Sequence, residues 1–133
     1  MAFKVVGSLD GAQPPFEYFL LTNNEAAVLG EAFVQTSGRL TKCGATATPE
    51  FIAVRSQAAE ATAVTPLPVI RVTEMMEFST QSMATVAVTV VGTKVTLHTD
   101  GLLVTATATN GVFLISATDG ATTTSNVKGY FRR

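Results

Sequence analysis

The sequence has little charge and few of the residues from which active sites are built. Only 14% of its 133 residues are charged, tryptophan is absent, and histidine and cysteine occur once each, as His98 and Cys43. A single cysteine, which we expect to be buried, excludes an internal disulfide framework and a thiolate cage for zinc. We expect no cofactor and no metal, and we interpret the chain as a protein that is not an enzyme.

The charges that are present nearly cancel. Nine basic and ten acidic residues give a net charge of −1, whereas binding to nucleic-acid phosphates needs a basic surface. The apolar runs are too short to cross a membrane, and Gly7, Asp10 and Pro14 interrupt the start of the chain before a signal peptide is complete. We expect no nucleic-acid partner, no membrane partner, and synthesis in a reducing cytoplasm.

The remaining candidates for chemistry have structural explanations. His98 alternates with the apolar residues of its run, and we expect it on the exposed face of a strand together with Lys94 and Thr96. The carboxylates are dispersed along the chain, and two of them, Asp100 and Asp119, occupy turn positions. This spacing does not favour a paired acid and base.

What the sequence does contain is short apolar runs separated by turn residues. In the last third the runs alternate with Val91-Gly92, Asp100-Gly101, Asn110-Gly111 and Asp119-Gly120. Because Asn-Gly and Asp-Gly supply the positive φ angles of tight hairpin turns, this pattern predicts a C-terminal β-meander. Its predicted strands are 86–90, 94–98, 102–107 and 112–115. The basic tail, 128–133, is interpreted as a solvated strand end or as a pair for the carboxylates of a partner.

The middle of the chain carries a second group of strand signals. A turn at Ser37-Gly38 separates the first two, and the window 24–29 is long enough only for a loop or a single helical turn. Short strands with turns between them predict an all-β fold, either a small barrel or a sandwich. The predicted strands of this group are 31–35, 39–43, 51–54, 69–72 and 75–78.

Residues 1–24 differ from the rest of the chain. Pro14-Pro15 force extended backbone, and an aromatic cluster follows them. Two interpretations stay open, an extended N-terminal arm that docks onto a partner and an edge strand of the same domain. We divide the chain into 1–24 and a β-domain, 25–133, with two lobes at about 25–80 and 81–133 as an open alternative. The residues selected as a partner interface are Phe3, Pro14, Pro15, Phe16, Tyr18 and Phe19.

The order of parts in the β-domain resembles a known family. The stretches 31–34, 37–42, 48–54, 68–72, 76–78 and 94–102 follow one another as in the capsid decoration, or cement, proteins of tailed bacteriophages. In that family a small β-barrel or β-tulip domain binds the outside of an assembled head, commonly as a trimer. An N-terminal segment often forms an arm onto the capsid.

The resemblance implies a structural virion protein on the capsid exterior, made in the cytoplasm of a host bacterium. Its partners would be the major capsid protein and further copies of itself in a homotrimer. The family has no catalytic or ligand motif, so the resemblance assigns no site residues. The alternative is a receptor- or carbohydrate-binding β-module of a phage tail or fibre, although such modules usually expose aromatic platforms and this chain has no Trp and only two Tyr.

Overall fold

Ten short strands, all paired antiparallel, form the two five-stranded sheets of a β-sandwich in the computed structural model, which describes residues 2–11 and 13–132. The described strands close no barrel, so the all-β prediction is confirmed as a sandwich. The strands are β1 (Lys4–Ser8), β2 (Phe16–Phe19), β3 (Ala32–Thr36), β4 (Arg39–Lys42), β5 (Phe51–Ala53), β6 (Leu67–Arg71), β7 (Met76–Gln81), β8 (Lys94–Val95), β9 (Phe113–Thr118) and β10 (Asn126–Phe131).

Strand order places the N-terminal residues at the edges of both sheets. The first sheet has the order β1-β7-β10-β9-β8, and the second has the order β2-β6-β5-β3-β4. Of the two alternatives for the N-terminal segment, the structure shows edge strands at Lys4–Ser8 and Phe16–Phe19. The division of the chain at residue 24, and into lobes near residue 80, stays a prediction.

The main core lies between the sheets and is rich in phenylalanine. Phe131 is fully buried, and its ring centroid lies 5.0 Å from that of Phe3 and 5.1 Å from those of Phe78 and Phe113. Apolar residues of the second sheet, such as Ile52, complete the same cluster. The sheets are therefore held together by burial of apolar surface.

The second sheet is buried on its other face as well. Phe33, Phe51 and Leu67 point away from the first sheet into a second apolar cluster, which is closed by Leu21 and Ala63 from connecting segments. Because both of its faces are covered, β5 and β6 are almost continuously buried. The first sheet keeps a solvated outer face, and β7 accordingly alternates between buried and half-buried residues.

The strand predictions in the middle of the chain are confirmed to within a few residues at their ends. Ser37 and Gly38 have φ angles of 52° and 78°, which are the two positive values that the tight turn between β3 and β4 requires. The window 24–29 contains no helix, as expected. These strands were predictable because the alternation of apolar residues and the positions of the turn residues indicate the same strand boundaries there.

The predicted meander is partly wrong. Residues 86–90 form no strand but a 3-10 turn at Val88–Val90, because side chains hold the backbone of Val86: its N–H donates to Ser125 Oγ at 2.9 Å and its carbonyl accepts from Thr118 Oγ1 at 2.8 Å. The observed meander consists of β8, β9 and β10, which are neighbours in chain order.

The predicted strand 102–107 is reduced to isolated bridges, although its turn is present. Gly101 has a φ of 73°, and across the turn His98 N–H donates to the carbonyl of Leu103 at 2.9 Å. Thr96 is 7% exposed rather than on the outer face, because its hydroxyl lies 2.7 Å from that of Thr105. The segment that follows the turn, which includes Thr105, therefore covers the face on which Thr96 was expected to be exposed to solvent.

Candidate docking surface

Two aromatic side chains stand in solvent on strand β2. Of the eight phenylalanines and two tyrosines, only Phe16 and Tyr18 are more than half exposed, at 59% and 61%. Leaving aromatic rings in water forgoes the free energy of burying them, and exposed apolar groups side by side are typical of binding surfaces. We call Phe16 and Tyr18 the aromatic pair.

The alternation of β2 explains why this pair is presented and held. Residues two apart point to one face of a strand, so Glu17 and Phe19 point to the other. There Glu17 accepts two hydrogen bonds from Arg71, at 3.0 Å and 2.9 Å, and Phe19 packs on Phe51 with 5.0 Å between ring centroids. One face of β2 anchors the strand while the other presents the aromatic pair.

The other residues selected from the sequence lie in different environments. Phe3 is only 3% exposed, and its ring packs in the main core against Phe113 and Phe131. Phe19 is half-buried in the second cluster, whereas Pro14 is half-buried and Pro15 exposed before β2. The structure thus brings together Phe16 and Tyr18 and places Phe3 in the interior. Contact of any of these residues with a partner stays a prediction.

A cleft of about 800 Å³ is lined in part by β6, the strand that pairs with β2. Its lining includes Val5 of β1 from the first sheet and Ile52 and Ile70 of the second sheet, all of them apolar. Phe16 lies directly opposite Ile70 in the β2–β6 ladder, and such neighbours point to the same face of a sheet. Phe16 is therefore the cross-strand neighbour of an apolar residue of the cleft, whose lining also contains charged side chains, among them Lys4, Asp119 and Lys128.

On the outer face of the first sheet, two lysines flank a serine. Register places Ser79 between Lys4 on β1 and Lys128 on β10. The row points outward, because Phe78 and Thr80 beside Ser79 are buried. Both lysines are exposed, and neither forms an ion pair with another residue of 2–11 or 13–132.

On the same face the Glu77 carboxylate lies opposite Gly7 of β1, accepts the Ser116 hydroxyl at 2.7 Å and forms no ion pair within the described residues. The unpaired positive charge is therefore confined to the Lys4 end of β1.

Glu31 is a buried carboxylate that the sequence pattern does not predict. Glu31 is 1% exposed; its carboxylate accepts from the Val28 N–H at 3.0 Å and from Lys42 Nζ at 3.1 Å. Burial raises the pKa of Glu31, and the Lys42 ammonium and the Val28 N–H oppose that rise. The only signal in the sequence was a glutamate directly before the apolar residues of β3.

The raised pKa of Glu31 predicts a pH-dependent stability. A carboxyl whose folded pKa lies above its unfolded value stabilises the fold below the unfolded pKa, and that contribution is lost as pH rises through the folded pKa. We therefore expect the free energy of unfolding of the wild type to fall, relative to Glu31→Gln, as the pH rises from below the usual carboxyl pKa toward neutrality. Urea unfolding at several pH values measures the difference.

The control is Val64→Thr, since Val64 is exposed and neither valine nor threonine carries a titrating group. A difference between wild type and Glu31→Gln that does not vary with pH would show that Glu31 titrates as it does in the unfolded chain.

The single histidine and the single cysteine have local partners. His98 Nδ1 lies 3.2 Å from Asp100 Oδ1, which also accepts the Leu102 N–H at 2.8 Å. The Cys43 thiol is buried and donates to the carbonyl of Ala47 at 3.0 Å, and burial raises its pKa to about 12. At neutral pH this thiol is protonated, so it is a poor nucleophile. In the described part of the chain no three His, Cys, Asp or Glu side chains are grouped as metal ligands.

No family model, no curated protein and no solved structure matches the chain. Among residues 2–11 and 13–132 there is no helix of the length and apolarity needed to span a bilayer.

Proposed function

We propose that this chain is a structural virion protein that binds the outer surface of an assembled phage capsid and stabilises it. The observation that carries the proposal is the aromatic pair, Phe16 and Tyr18, exposed on a strand that Glu17 and Phe19 anchor. Aromatic anchors on a rigid element are typical of the residues that contribute most to protein–protein affinity. The resemblance of the sequence to capsid decoration proteins supplies the identity of the partner, the major capsid protein.

The mechanism needs no chemical step. A protein that binds the assembled shell and not its dissociated subunits shifts the equilibrium toward the intact shell by mass action. Burial of apolar surface contributes about 25 cal/mol per Å² to such contacts. Assembly of the protein as a homotrimer on the capsid exterior would add avidity, because the second and third contacts become intramolecular.

The second candidate is a receptor- or carbohydrate-binding module of a tail or fibre. The observation in its favour is the same aromatic pair, because exposed rings on the strand paired with β6, which lines a cleft of about 800 Å³, also suit a bound ligand. Against it, the described part of the chain has no other exposed aromatic side chain that would extend the platform. The capsid role therefore remains the first proposal.

Co-sedimentation separates the two candidates. Expanded heads that lack the protein, taken from the virus that encodes this chain, are mixed with the purified protein and centrifuged, and the same protein is applied to a glycan array. We expect saturable binding to heads with a fixed stoichiometry and no glycan signal. Glycan binding without head binding would establish the module, and failure on both would refute both candidates.

A further inference from the structure

The outer edge of β1 has no strand beside it. In the first sheet β1 pairs only with β7, so the backbone groups on its other side are available to an added strand. The edge spans the five residues of Lys4–Ser8 and contains an irregularity between Val5 and Gly7. The exposed side chain of Val6 lies at this irregularity.

The second sheet extends further than the first at this edge. Val5 of β1 and Ile70 of β6 both line the cleft, so β1 lies across the cleft from β6. Outward from β6 the second sheet has one more strand, β2, which carries the aromatic pair. Strands in both sheets are spaced by about 4.8 Å. A strand added to β1 would therefore face β2 and cover Phe16 and Tyr18, which no strand of this chain covers among the described residues.

The charge at the Lys4 end of this edge selects the occupant. On the added strand, the residue opposite Lys4 would point to the outer face, where Lys4 and Lys128 lack ion-pair partners within the described residues. A carboxylate at that position would be a favourable cross-strand neighbour of Lys4. The next residue, opposite Val5, would point inward, toward the aromatic pair, where apolar side chains are favoured. On the other side of Lys4 the Phe3 N–H already donates to the Gly30 carbonyl at 3.1 Å.

We propose that β1 accepts an extended segment of a partner protein, in which apolar side chains alternate with carboxylates, as an added antiparallel or parallel strand. The apolar side chains fill the region between the cleft and the aromatic pair, and the carboxylates neutralise the lysine row. This inference rests on the proposed function, because it uses the same docking surface, and it names the chemistry of the partner segment.

A second copy of this chain gains less from the charges than an acidic segment does. Parallel pairing of β1 with β1 of another copy would bring two lysine rows together on one face, and like charges on adjacent strands are destabilising. Antiparallel pairing over the whole of β1 would set Lys4 opposite Ser8, which carries no charge. A lysine and a bulge on an edge strand are also devices that discourage edge-to-edge self-association. The same lysine favours an acidic partner segment.

The test uses the full-length protein and a synthetic peptide. The probe is an acetylated, amidated nonapeptide in which Glu alternates with Val and Ile, and binding is measured by fluorescence anisotropy and by the NMR shifts of the amides of residues 4–8. Two N-methylated versions carry methyl groups either on the Glu residues or on the Val and Ile residues. In an added strand these two sets of N–H groups point to opposite edges.

We expect the unmodified peptide to bind and to shift the β1 amides, and only one of the N-methylated versions to lose binding. Lys4→Glu should weaken binding severalfold, and a peptide with Lys in place of Glu should restore it. The double variant Phe16→Thr, Tyr18→Thr should weaken binding at least tenfold. The control Val64→Thr, a substitution at an exposed residue of a connecting segment, should bind as the wild type does.

Three results would overturn the inference: no shift of the β1 amides, equal binding by both N-methylated versions, or a dimer of the chain held together through β1. If the peptide fails while heads are still bound, strand addition is wrong and the proposed function stands. If the peptide binds while heads do not, the acceptor edge is present and the capsid is not its partner.

Discussion

Gly129→Ala should destabilise the protein more than any other single methyl group added to a strand. Gly129 lies in β10, a central strand of the first sheet. A Cβ built there would lie 2.1 Å from the Leu114 carbonyl oxygen and 2.7 Å from the Phe113 ring. Because the oxygen belongs to the backbone of the neighbouring strand, β9 and β10 must separate to make room. Overpacking typically costs about 1–3 kcal/mol and sometimes more, and we expect the upper end or beyond.

The control for this prediction is Gly7→Ala. Gly7 is also a strand glycine, but a Cβ there would meet no atom within 4 Å. Urea unfolding of both variants should show a large fall in midpoint for Gly129→Ala and a small change for Gly7→Ala, within the roughly 0.5 kcal/mol usual for surface substitutions. Equal midpoints for Gly129→Ala and the wild type would contradict the close approach of β9 and β10.

Strand β10 is a part of the fold that the sequence pattern does not predict in full. The sequence predicts only the end of a strand at 128–133, and the structure has a full strand, Asn126–Phe131, between β7 and β9. Arg133 lies outside the described residues. Lys128 and Gly129 break the apolar pattern, because the lysine faces solvent and the glycine allows the close approach of a neighbouring backbone. A glycine inside a strand reports such an approach, but a single sequence does not say which backbone approaches.

Residues 86–90 show the opposite error. Alternating Val and Thr there satisfy the pattern of a strand, but strand pairing also needs a neighbour with matching free backbone groups. In the structure Ser125 and Thr118 side chains take the hydrogen bonds of Val86 instead. The sequence pattern contains the preference for extended backbone and omits the competition from polar side chains that are distant along the chain.

The docking surface was predictable in part. The aromatic cluster after Pro14-Pro15 indicates a candidate partner surface in the sequence. Once β2 is identified as a strand, its period-two alternation places Phe16 and Tyr18 on the face opposite to Phe19. Phe3 is buried in the core because it directly precedes β1, which pairs with β7 in the first sheet. The row Lys4, Ser79 and Lys128 joins three strands far apart along the chain, so only the register of the sheet brings those residues together.

Replacing the aromatic pair should abolish most of the affinity for capsids and leave the fold intact. In the double variant Phe16→Thr, Tyr18→Thr, threonine keeps a strong preference for strands, and Glu17, Arg71 and Phe19 still anchor β2. We expect stability to change by less than about 1 kcal/mol. Loss of two aromatic anchors should cost about 2 kcal/mol or more of binding free energy, about thirtyfold in Kd.

The matched control is the double variant Val64→Thr, Val88→Thr, which removes apolar surface at two residues that are 69% and 68% exposed and lie outside β2. The deciding measurement is co-sedimentation of wild type and both double variants with heads that lack the protein, over a range of concentrations. We expect saturable binding by the wild type and by the valine variant, and at least about thirtyfold weaker binding by the aromatic variant. Binding of the aromatic variant at wild-type affinity would contradict the assignment of Phe16 and Tyr18 as the surface that holds this protein on a capsid.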